Sequence, residues 1–170
     1  MHEKVRPSGK FIVRCYSNDR SKMKWEEITH NLVVYEACER LLDSTLLGGT
    51  QVGTWSTFLT SGTPTVASAD TMASHAGWDE FLVYDETTRP VWIGVRSGQV
   101  ASNSASLASF TISSANQTIG GAGLTELNSK DAATGALYCV AAFTGGDRTG
   151  NAIGDKIDVI YNATTEDDAT

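Results

Sequence analysis

The sequence predicts a mainly β protein, a β-sandwich of about nine short antiparallel strands with one amphipathic α-helix near residues 33–47. Three observations predict it. Charged residues make up only 19% of the chain while Gly, Ser, Thr and Ala are abundant, the usage of an all-β protein. Short alternating apolar runs recur between turn clusters. Only one segment carries helical spacing. At 170 residues the chain is long enough to bury its own core, and a single domain is expected over residues 10–163. Residues 1–9 are expected to form a flexible arm and residues 164–170 an acidic tail.

The first strand is read from Phe11, Val13 and Cys15, which alternate with Ile12 and Arg14. A turn cluster, Ser17 to Ser21, leads to a returning strand from Met23 to Ile28 around Trp25. The helix follows: Val34, Cys38, Leu41, Leu42 and Thr45 fall on one stripe, with Glu36, Glu39, Arg40 and Asp43 mainly opposite. Asn31 is placed to cap its start, and Gly48-Gly49 to stop it.

The stretch from Trp55 to Val95 organises the rest. It holds Trp55, Trp78 and Trp92, three of the four tryptophans, and all the prolines but Pro7. Strands are expected at Trp55–Thr60, Asp79–Tyr84 and Val91–Val95, with Trp55 and Trp92 buried in the core. Between the first two runs a small, polar loop, residues 64–77, is too weakly apolar to be a core element. Leu107–Ile112 alternates cleanly. Ile119–Leu127 is glycine-rich, and Gly120, Gly121 and Gly123 point to a bulge or a close backbone approach. Ala136–Phe143 is apolar on both faces and reads as a central strand; Ile157, Val159 and Tyr161 make the last one.

Composition and motifs exclude several functions. A net charge of −7 without a Lys/Arg cluster speaks against a nucleic-acid surface. No apolar run is long enough to span a bilayer, and the first residues lack the apolar centre of a signal peptide. Cys15, Cys38 and Cys139 form no CxxC, and His2, His30 and His75 complete no zinc pattern, so the thiols read as small buried hydrophobes. Gly145 to Gly150 lacks the Lys and following helix of a phosphate loop. Ser74-His75, with Asp70 and Asp79 nearby, resembles a triad on paper, yet a loop histidine bonded to local backbone is the simpler reading. Asp85-Glu86 and Asp155/Asp158 match no calcium-loop spacing. Trp78, Tyr84, Trp92 and Tyr138 are core candidates first and a sugar-stacking platform second. No enzyme activity, cofactor or metal is expected.

One run is distinctive: Asp70-Thr-Met-Ala-Ser-His-Ala-Gly-Trp78, followed by Tyr84 and Thr88-Arg89-Pro90. Other segments stand around it in order. Among them are Lys24-Trp25, Asn31 to Val34, Gly48-Gly49-Thr50, Gly62 to Val66, Asn103 to Ser106, Ile119 to Ala122, Thr134 to Tyr138 and Ala142 to Asp147. With this order and spacing, from about Gly9 to Ala163, the sequence resembles a family of small virion proteins of tailed bacteriophages. The resemblance implies a non-enzymatic structural component of the particle, made in the host bacterial cytoplasm and carried on the virion. The absence of a long repetitive extension favours a head decoration or cement protein over a tail fibre or adaptor. The implied partner is the major capsid protein, or tail proteins in the second case, with self-association into a homo-oligomer also open; host-glycan binding is a further alternative. Candidate partner-binding residues are Lys4, Val5 and Arg6 in the basic start, and His75 and Trp78 in the distinctive loop.

Overall fold

Two antiparallel sheets face each other, and the second carries the helix and the long central loop on its far side. The computed structural model describes residues 5–167. Sheet one is built from β1 (Val5–Tyr16), β2 (Met23–His30), β6 (Val95–Ser97), β7 (Val100–Ser102), β8 (Ala108–Thr111) and β11 (Lys156–Asp167). Its path runs β2-β1-β11-β7-β6, with β8 also paired to β11. Sheet two contains β3 (Leu32–Val33), β4 (Trp55–Thr60), β5 (Val91–Trp92), β9 (Gly121–Thr125) and β10 (Leu137–Ala142), in the order β3-β10-β9-β4-β5. The helix α1 spans Tyr35–Leu46. The architecture is β-sandwich-like, as the alternation predicts.

Period-two alternation explains the main core. Phe11, Val13 and Cys15 of β1 and Ile157, Val159 and Tyr161 of β11 all face inward and are fully buried. They meet Leu59, Leu124, Cys139 and Ala141 from sheet two. Sheet two is covered on its other side as well: Phe58, Leu137 and Val140 pack with Val34 and Ala37 of the helical arm and with Met72 and Trp78 of the loop. That double burial is why Ala136–Phe143 is apolar on both faces. It also explains Gly123 of β9, because the Phe58 ring lies over it, where a Cβ would come within 2.2 Å.

The structure corrects several expectations. Residues 5–9 are not an arm and residues 164–167 are not a free tail: Val5 pairs with Asp167, Arg6 with Glu166 and Ser8 with Thr164, continuing the β1–β11 ladder. This extension owes nothing to apolar alternation. Pairing holds it, and Pro7 is tolerated because β2 reaches only as far as Lys10, leaving that edge open. The run Asp79–Tyr84 is no continuous strand; it makes isolated bridges, Thr60 to Glu80 and Tyr84 to Ile112. Val91–Val95 divides at Gly94, where a side chain would strike the Trp92 ring at 2.1 Å, and its two ends join different sheets. Trp55 and Trp92 are only half-buried, at the margin of the core. Trp55 meets Tyr138 edge-on at 5.3 Å, and Trp92 donates from Nε1 to the Tyr161 carbonyl at 3.1 Å.

The helix is shorter than expected and turned differently. Val34 stands at its N-cap without a side-chain cap, while Asn31 donates instead to the Tyr161 hydroxyl at 3.1 Å. Gly48 does end it, at a φ of +71°, and Gly49 N–H closes on the Asp43 carbonyl at 2.9 Å. Ala37 is its buried residue, so the expected Leu41–Leu42 side of the stripe is left outside.

Candidate partner-binding surface

The loop from Ser61 to Glu80 is held by its own side chains, and the distinctive run supplies them. Asp70 is buried and its Oδ2 accepts from Ala67 N–H at 3.0 Å and from Trp78 Nε1–H at 3.1 Å. Thr71 and Ser74 exchange backbone hydrogen bonds at 3.0 and 3.2 Å, forming a tight turn that drops Met72 into the core beneath the loop. Gly77 lies so close to Thr65 that a Cβ would sit 2.0 Å from its carbonyl oxygen, and Thr65 N–H bonds the Gly77 carbonyl at 2.8 Å.

Three rings then stack in a column. The His75 imidazole lies 3.7 Å from the Trp78 ring at 15°, and Trp78 lies 5.2 Å from Phe58 at 20°. His75 Nδ1 is 2.9 Å from the Trp78 carbonyl, the local backbone bond the sequence favours over a triad. Trp78 is 6% exposed, so most of its ring is core, and His75, half-buried, is the part of the column that meets solvent more. Tyr84 is 3% exposed and packs in the core like Trp78, whereas Trp92 and Tyr138 are half-buried.

A second internal lock lies beside this loop. Arg89 is wholly buried; it donates from Nη1 to the Leu127 carbonyl at 2.8 Å and from Nε and Nη2 to the Glu80 carboxylate. Arg148 of the glycine loop is likewise pinned: its Nε donates to Glu27 Oε1 at 2.6 Å, and Glu27 Oε2 accepts from Gly145 N–H at 3.1 Å. These charges hold segments together.

The remaining candidates do not join His75. Lys4 lies outside the described residues, and Val5 and Arg6 belong to β1 in the other sheet. Cys15 and Cys139 have their thiols pushed up to about 12 by burial, which makes them inert, whereas Cys38 is half-buried. Among the described residues no group of three or more His, Cys, Asp or Glu is placed to hold a metal ion. No helix there is long and apolar enough to cross a membrane.

The sequence reading missed the most exposed apolar feature. Along the outer side and end of α1, Leu42, Leu46 and Leu47 are 57%, 72% and 76% exposed, and Leu41 borders them. A groove of about 240 Å³ opens alongside, between Ala37, Leu41 and Ser44 of the helix and Val52, floored by Trp55 and Tyr138. The signal was present as Leu46-Leu47, two large apolar residues at the edge of the stripe just before Gly48-Gly49. Such a patch is a candidate contact surface. No protein-family model, no curated protein and no solved structure matches this chain.

Proposed function

We propose that this chain is a non-enzymatic structural protein of a tailed-bacteriophage virion, a decoration protein that binds the outer surface of the head. The leucine patch on α1 is the observation that carries a binding role. Four leucines within seven residues sit at one end of a helix whose own fold uses only Ala37. Covering them on a partner removes apolar area from water at about 25 cal/mol per Å². The occupant, the major capsid protein, comes from the sequence resemblance. A decoration protein engages many equivalent sites, so modest affinity at each is enough.

The test uses Leu46→Asp/Leu47→Asp protein and undecorated particles. The variant should keep the wild-type melting temperature and lose occupancy on the head. Full occupancy by the variant would remove the patch from the interface. A stained gel of purified virions separates head from tail: head decoration requires a copy number that scales with the capsid protein, and a tail position a far smaller one.

A further inference from the structure

The helix α1 turns one row of side chains straight away from the fold. At about 3.6 residues per turn, Tyr35, Glu39, Leu42 and Leu46 fall on one narrow stripe, opposite buried Ala37. Tyr35, 61% exposed, carries the leucine patch on to the other end of the helix. Steps of four, three and four residues are those of a seam that receives a second helix, a period that a strand or an irregular segment does not match. Charge then says which kind of helix. Glu39 stands within the row and Asp43 at its edge; both are exposed, and neither has an ion pair among the described residues. Arg40, the one cation of α1, lies with Ala37 on the groove side, 3.5 Å from Glu36 and 4.0 Å from Glu126. The last turn holds no basic residue, so the negative end of the helix dipole is unrelieved as well.

We propose that α1 receives an amphipathic helix of a partner protein whose apolar row is bordered by Lys or Arg. This rests on α1 being the contact surface and adds the chemistry of what it contacts. The partner's apolar side chains pack on Tyr35, Leu42 and Leu46, and its cations meet Glu39, Asp43 and the carbonyl end of the helix. A second copy of this chain does not fit. Laid against another α1, the seam would gather four carboxylates, Glu39 and Asp43 from each copy, while Arg40 stays engaged on the groove side. Nucleic acids and anionic membranes meet the same repulsion.

The experiment follows backbone amide NMR shifts during titration with a designed peptide of about three heptads, Leu at a and d and Lys at e and g. Its controls are a twin with Glu at e and g, and a scrambled Lys peptide of the same composition. The Lys peptide should give saturable shifts centred on residues 35–47, with both controls at least about ten-fold weaker. Glu39→Lys/Asp43→Lys changes only exposed positions, so its melting curve should overlay wild type while its preference reverses to the Glu twin. Should it fail to fold, Glu39→Gln/Asp43→Asn takes its place and should bind the two helical peptides alike. No saturable shifts at millimolar peptide, a scramble that binds as tightly, or a preference unmoved by the charge change would each overturn the proposal. Concentration-dependent sedimentation of the free chain, abolished by Leu46→Asp, would overturn it by giving the face to a second copy. On undecorated particles the two readings separate. Occupancy lost by Leu46→Asp/Leu47→Asp yet kept by Glu39→Lys/Asp43→Lys would leave the patch as the head contact and overturn the cationic helix.

Discussion

Arg89 and Glu80 form a two-point ion pair, 2.9 Å from Nε and 2.6 Å from Nη2, with Arg89 wholly out of solvent. The pair lies between segments distant in sequence: Arg89 N–H also bonds the Asn128 carbonyl at 2.6 Å, and Glu80 accepts from Asp131 N–H at 3.0 Å. It therefore ties residues 80–90 to residues 127–132. Arg89→Met leaves the Glu80 charge buried without its partner, and a loss of about 3–5 kcal/mol in urea unfolding is expected. Replacing both, as Arg89→Met/Glu80→Leu, should recover part of that loss. A single variant as stable as wild type would show the lock to be dispensable.

The ring column makes a graded prediction. Trp78→Ala removes a buried ring stacked on Phe58 and frees Asp70, so a cost of about 3–5 kcal/mol is expected. His75→Ala takes away only the half-exposed cap and should cost no more than about 1 kcal/mol. Equal losses for the two in thermal melts would mean that the imidazole, and not the indole, holds the loop.

Buried thiols set the alkaline limit of the fold. Cys15 and Cys139 ordinarily titrate near 9.0, and burial pushes both up to about 12 in the native protein. Below pH 9 both states keep the proton and stability is unaffected. Between about 9 and 12 the unfolded chain releases a proton that the native state retains, so each thiol subtracts about 1.4 kcal/mol per pH unit. Urea midpoints measured at pH 8 and 10.5 should fall, and fall less in Cys139→Ala. An identical fall in that variant would assign the loss to other groups, such as Tyr84 and Tyr161, which burial also raises.

Much of the sandwich was legible because burial leaves a period-two trace. Phe11-Val13-Cys15 and Ile157-Val159-Tyr161 could be placed from their alternation alone. What stayed hidden was set by partners and not by pattern. Val5–Gly9 becomes a strand because β11 lies beside it, and Val100–Ser102 because it returns from β6; neither carries an apolar stripe. The loop before Trp78 looked too polar for a core, yet Met72 and Trp78 reach inward while Asp70 binds the indole. The helix misled in the opposite sense, since its stripe reads as a buried face and the fold uses Ala37 instead.

The uneven anchoring of α1 has a measurable result. Its N-terminal half is fixed: Ala37 packs beneath it, Glu36 Oε2 accepts from Leu137 N–H at 3.1 Å, and Tyr35 N–H bonds the Ser68 carbonyl at 2.8 Å. Its last turn contains no basic residue to meet the helix dipole, and Leu46 and Leu47 project into solvent. A helix of 12 residues is marginal without tertiary packing, so its stability should fade from one end to the other. Hydrogen exchange should show protection declining from Cys38 to Leu46, with the amides of β10 exchanging far more slowly. Binding through the leucine patch should raise protection in that last turn more than anywhere else on the surface. Uniform protection along α1 in the free protein would mean that the leucines are already covered, as in a self-associated form, and Leu46→Asp/Leu47→Asp would then lower the sedimentation coefficient to that of a monomer.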